Sequence, residues 1–171
     1  FAAEERGLLG SYGYVEHPLR PLNTTRAVIN FDMIGRNETP SAQTEGLVQI
    51  PPDTSNELNL IGTNNSVDYR RTVEQSNQAV GLKLDYKFDQ DAALNVIQRS
   101  DQFPFTLHNI PAVWWFPGLH PDYHQPPDPG DRHHPDQLVE LLRPACRSTW
   151  QSAYAASPTQ SAARRPACHP P

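Results

Sequence analysis

Two short apolar runs, AVINFDM at residues 27–33 and AVWWF at residues 112–116, constrain the fold more than any other feature of the sequence. Neither alternates polar with apolar side chains, as a strand with one wet face would. Continuous β-branched and aromatic runs of this length suit strands buried on both faces, which need helices on either side of the sheet. Residues 7–15 read as a short helix ending before His17-Pro18, because the residue ahead of a proline avoids the helical region. Asn64-Asn65-Ser66 offers an N-cap and Gly81 a stop for a helix over 67–80. A third helix is expected over 100–108, capped by Ser100 or Asp101. Leu138, Leu141, Leu142, Ala145 and Thr149 follow helical spacing in a fourth, which Pro144 should kink or end at a cost of about 3 kcal/mol. Residues 47–50, 58–61 and 83–88 read as further strands, and residues 1–3 as the end of another. Strands alternating with helices predict an α/β fold, a three-layer sandwich around a central mixed, mostly parallel sheet.

A chain of 171 residues can bury one sizeable core. Its formal net charge of -5 gives no reason to expect nucleic acid or an anionic membrane as partner. No segment approaches the roughly 18 apolar residues of a membrane span. Cys146 and Cys168 lack the CxxC spacing of a thiolate zinc site. Residues 156–171 are mostly Ser, Ala, Pro, Gln and Arg and read as a disordered tail behind a domain of residues 1–155. Glycine-rich phosphate loops, GxSxG elbows and HExxH helices are absent from the sequence, so their chemistries lack a signature.

The polar residues that stand out lie at the ends of the apolar runs. Glu4 and Glu5 are adjacent, and at a strand end they would point in opposite directions, so that one could hold a metal while the other faces a substrate as general base. Asp32 sits among Phe31, Met33 and Ile34, where a carboxylate is expensive unless paired or metal-bound. The loop GLHPDYHQPPD follows AVWWF directly and gathers His120, Asp122, Tyr123 and His124 within five residues. Asp128 could orient the ring of a ligand histidine. His133 and His134 read as surface residues, and Trp114 and Trp115 as core or pocket wall. Carboxylates with one or two histidines suit zinc.

FAAEERGLLGS, INFDMIGR, RSDQFPF and NIPAVWWFPGLHPDYHQPPD, in this order and spacing, resemble the C-terminal half of the co-catalytic zinc aminopeptidases, a family that also holds glutamate carboxypeptidases. The resemblance runs from Phe1 to about Tyr154. It implies a zinc-dependent exopeptidase, with two zinc ions per complete site and a peptide as substrate. Glu4 would be the general base and Tyr123 the hydrogen-bond donor to the oxyanion. Glu5, Asp32 and His124 would be zinc ligands, and Arg99 would help hold the substrate. The family takes one more histidine and a bridging aspartate from sequence upstream of the glutamate pair, so the upstream half of the domain is an expected partner. Gln102 stands where the RSD motif usually continues with histidine. The resemblance also suggests a secreted or periplasmic protein. Its alternatives are a carboxypeptidase or glutaminyl cyclase on the same fold, or a binding module without catalysis.

Overall fold

The computed structural model of the chain describes residues 1–89, 91–125 and 133–154. Asp128, Cys168 and the tail expected over 156–171 lie outside the described residues. Four strands form one sheet: β1 (Val28–Phe31), β2 (Glu57–Ile61), β3 (Lys83–Asp85) and β4 (Ala112–Phe116), in the order β1-β4-β2-β3. β1 runs parallel to β4, with Val28 opposite Ala112 and Phe31 opposite Trp115. β2 runs parallel to β3 and antiparallel to β4, with Leu60 opposite Trp115. The fold is therefore α/β with a mixed, mostly parallel sheet.

Side-chain alternation along β4 divides the core into two. Val113 and Trp115 point to one face, where they meet Leu58, Leu60, Tyr69, Val73 and Leu141. Trp114 and Phe116 point to the other, against Ile61, Phe88, Val96 and Leu119. The first face is covered by α2 (Val67–Asn77) and α4 (Pro135–Tyr154), packed on each other. The second is covered by irregular chain around Phe88 and Val96 and by α1 (Leu9–Glu16) and α3 (Phe103–Leu107), whose Val15 and Phe105 cluster with Ile110 and Ala112. All five residues of β4 are buried, as its sequence requires.

The other apolar run behaves differently. β1 is only half-buried, and Phe31 is 37% exposed, because among the described residues β1 has a neighbouring strand on one side alone. Residues 47–50 form no strand: the turn before them bonds Leu47 N–H and Val48 N–H to the Thr44 carbonyl, and Pro51-Pro52 offers no donors. β3 stops at Asp85, whose Oδ1 accepts the Lys87 N–H at 3.0 Å and turns the chain. Residues 1–3 are no strand either, since Ala3 adopts φ 56° and leads into a single 3-10 turn.

The helices also depart from their expected bounds. α2 is capped by Ser66, whose hydroxyl accepts the Tyr69 N–H. It ends at Asn77, three residues early, because the Asn77 amide takes both backbone groups of Leu82, at 2.7 and 3.0 Å. α3 spans five residues, with the 100–102 segment in turns before it. α4 runs through Pro144 without ending. The burial of Leu141 and Ala145 against α2 outweighs the one backbone hydrogen bond that the proline ring removes.

Candidate active site

Parallel pairing of β1 with β4 brings their carboxyl ends side by side, where ligands collect in open α/β sheets. Asp32 follows β1, and the loop bearing His120, Asp122, Tyr123 and His124 follows β4. Across from them, Glu4 and Glu5 lie in the 3-10 turn Glu4–Arg6, bounded by left-handed residues at Ala3 and Gly7. The expected strand end is thus a tight turn, and both carboxylates face one cavity instead of opposite sides. That cavity, of about 380 Å³, is lined by Glu4, Glu5, Asp32, Arg99, Tyr123 and His124, with Arg36, Asp122 and His133 around them.

Each side chain has a distinct hold. Glu5 Oε2 lies 3.1 Å from His124 Nε2, and both side chains are more than half exposed. His124 stacks on Tyr123 with ring centroids 3.9 Å apart. Arg99 donates to the Leu94 carbonyl at 2.6 Å and hydrogen-bonds Tyr123. Asp32 Oδ2 accepts from Ser100 Oγ at 2.7 Å. Beneath that contact Asn30 Nδ2 reaches both Ser100 Oγ (2.8 Å) and Gln102 Oε1 (3.0 Å), and Gln102 Nε2 donates to the Ile97 carbonyl. Gln102, at the position noted for its departure from histidine, is thus fully buried and supports Asp32 at one remove.

Electrostatics single out Glu4. Burial, together with Asp32, Glu5 and Asp101, pushes its carboxyl up to about 7. Burial likewise raises the Tyr123 phenol, reinforced by Glu5 and Asp32 and opposed by Arg99. Met33 and His124 adopt φ near 60°, a left-handed conformation that non-glycine residues hold at a cost of about 1–3 kcal/mol and that concentrates at functional sites.

Other sequence candidates fall differently. Asp122 pairs with Arg36 at 2.8 Å. His120 is buried, 3% exposed, with an edge on the cavity. His133 is exposed as expected yet lies on the cavity rim, while the His134 N–H binds the Gly35 carbonyl. Carboxylate and imidazole donors of this kind suit zinc, and Glu5 with His124 already forms one such pair. Among the described residues no three His, Cys, Asp or Glu side chains converge closely enough to hold an ion.

Solved structures share this fold. The LapA aminopeptidase of Legionella pneumophila is 20% identical with a TM-score of 0.69, covering 92% of this chain and 39% of its own. The zinc aminopeptidase BSAP of Bacillus subtilis is 22% identical with a TM-score of 0.59, over 94% of this chain and 37% of its own. An aminopeptidase from Aneurinibacillus sp. strain AM-1 is 19% identical, with a TM-score of 0.57, over 88% and 32%. The chain thus spans less than two fifths of each of these neighbours. At this identity the likeness is one of fold, and the class it defines is an α/β domain with a mixed sheet. The chain belongs to peptidase family M28, whose model matches residues 1–147. No curated protein matched it.

Proposed function

We propose that the chain carries part of the site of a zinc-dependent aminopeptidase that removes N-terminal residues from peptides. The observation that carries this reading is the one cavity shared by Glu4, Glu5, Asp32, Arg99, Tyr123 and His124. In it Glu4 is the general base: a carboxyl titrating near 7 can take a proton from water at neutral pH and return it to the leaving amine. Tyr123 donates its hydroxyl to the oxyanion that develops on the scissile carbonyl, worth about 3 kcal/mol for one such donor. Arg99 steadies that phenol and the substrate. Glu5, Asp32 and His124 would hold zinc, of which a complete site takes two ions, and Asp128 would orient a ligand ring. Bound zinc would polarise the carbonyl and acidify water. An upstream segment would add the remaining ligands.

Pocket charge favours an aminopeptidase over a carboxypeptidase for acidic residues. Such an enzyme needs several cations in the pocket, and Arg36 is committed to Asp122. The test is hydrolysis of leucine p-nitroanilide and of its N-acetylated twin by the complete gene product with Zn²⁺ present. Cleavage of the free amine alone is expected, with Glu4→Gln losing about 10²–10⁴-fold. Equal cleavage of both compounds, or full activity in Glu4→Gln, would overturn the assignment.

A further inference from the structure

Away from the cavity the fold buries a set of charges that the proposed reaction does not use. Glu38 and Glu57 are 1% and 2% exposed, and Lys87 reaches both, at 2.5 Å and 2.8 Å. Lys83 adds a second cation to Glu57 at 2.6 Å. Two carboxylates this deeply buried add little to stability that apolar side chains of the same size would not. Their placement is more informative than their energy.

Glu38 packs directly on the β4 loop. Gly118, at φ 140°, lies flat against it, and a Cβ there would overlap the Glu38 side chain. Asn59 Nδ2 donates both to Glu38 Oε2 (3.3 Å) and to the Pro117 carbonyl (3.1 Å). Next in the chain, the Thr39 N–H binds the Leu119 carbonyl at 3.0 Å, and Thr54 Oγ1 holds the Glu38 carbonyl at 2.7 Å. Two residues before Glu38, Arg36 pairs with Asp122. The segment that starts at Asp32 is therefore stapled along its length to the segment that ends at His124.

We propose that Glu38 is a positioning residue: anchored by Lys87 and Asn59, it seats the Pro117-Gly118-Leu119 turn and so sets where Tyr123 and His124 stand relative to Asp32. Its relevance to catalysis rests on the aminopeptidase reading, but the positioning itself does not. Glu57 shares the lysine, with Lys83 as its second cation, and it serves as the control. A purely structural network would respond alike to the loss of either carboxylate. A positioning network responds at the site to the loss of Glu38 only.

The experiment compares ring resonances of Tyr123 and His124 by NMR in the unaltered chain, in Glu38→Gln and in Glu57→Gln, with urea unfolding of each. Glu38→Gln is expected to shift or broaden both rings well beyond any change at His17 and His108, which follow α1 and α3. Glu57→Gln is expected to lower urea resistance while leaving them in place. Unmoved rings in Glu38→Gln, or equal movement in both variants, would overturn the proposal. If Glu38→Gln does not fold, Asn59→Ala removes the amide that ties the Glu38 carboxylate to the Pro117 carbonyl, and there a shift supports the proposal and unmoved rings overturn it. Zn²⁺ titration of the unaltered chain tests the peptidase reading separately, because the rings report loop position whether or not metal binds.

Discussion

Replacing Lys87 by methionine strips the cation from Glu38 while Glu57 keeps Lys83. One buried carboxylate is then left without a charge partner. Removing one member of a buried pair costs about 3–5 kcal/mol, a large share of the roughly 5–15 kcal/mol that stabilises a domain. The loss should depend on pH in a definite sense. Burial already raises the Glu38 carboxyl above its ordinary value, and Lys87 and Asn59 oppose that rise. A carboxyl whose folded pKa is raised stabilises the fold fully below its unfolded pKa, and that contribution is lost as pH climbs through the folded value. Without Lys87 the folded value climbs further, so the deficit should be largest near pH 8 and shrink toward pH 5 as Glu38 takes up a proton. Urea unfolding of the unaltered chain and Lys87→Met at both pH values measures it, and titrations common to the two proteins cancel in the difference. Adding Glu38→Gln to Lys87→Met should recover most of the loss near pH 8. A deficit under about 1 kcal/mol, the range of exposed pairs, or one equal at both pH values, would refute the reasoning.

Two further perturbations test the packing and the backbone. Leu60, fully buried in β2 between Trp115 and the α2 face, should lose about 2–5 kcal/mol on replacement by alanine, read as a lowered urea midpoint at unchanged slope. Gly62→Ala forces a Cβ into the Ala112 carbonyl oxygen at φ 96°, whereas Gly46→Ala at φ 72° meets nothing within 4 Å. The second should cost about 1 kcal/mol of backbone strain and the first clearly more, and equal losses would show that the β2–β4 contact does not govern Gly62.

Legibility in the sequence followed burial. AVWWF could be read correctly because a strand with neighbours on both sides needs apolar residues at every position, and that leaves a mark no loop imitates. AVINFDM carries the same mark, but its exposure depends on what lies beside β1, which local sequence does not encode. The residues that line the cavity stood out in the sequence by type and order, while their geometry did not. Nothing in Glu4-Glu5 announces a 3-10 turn, since the left-handed backbone at Ala3 and Leu8 falls on residues that ordinarily avoid it. Glu38 gave no signal either. A lone Glu in GRNETP reads as a solvated loop residue until Lys87, forty-nine positions away, is seen against it.

The cavity is half pinned and half loose, and the division follows the hydrogen bonds. Asp32 rests on Ser100, which rests in turn on Asn30 and buried Gln102, so its carboxylate has little freedom to reorient. Tyr123 is held by Arg99 and by the stapled loop behind it. Glu5 and His124, by contrast, are more than half exposed and are steadied by their mutual contact and by the stack of His124 on Tyr123. A ligand entering the cavity therefore meets a preset carboxylate and phenol, and must order the Glu5–His124 pair itself. The ordering is an entropic cost of about 0.5–1.5 kcal/mol for each immobilised side chain. That cost falls if the pair is covered and held from outside. It follows that whatever packs over the exposed rim near Glu5 should raise the affinity of the site without contributing a contact to the ligand.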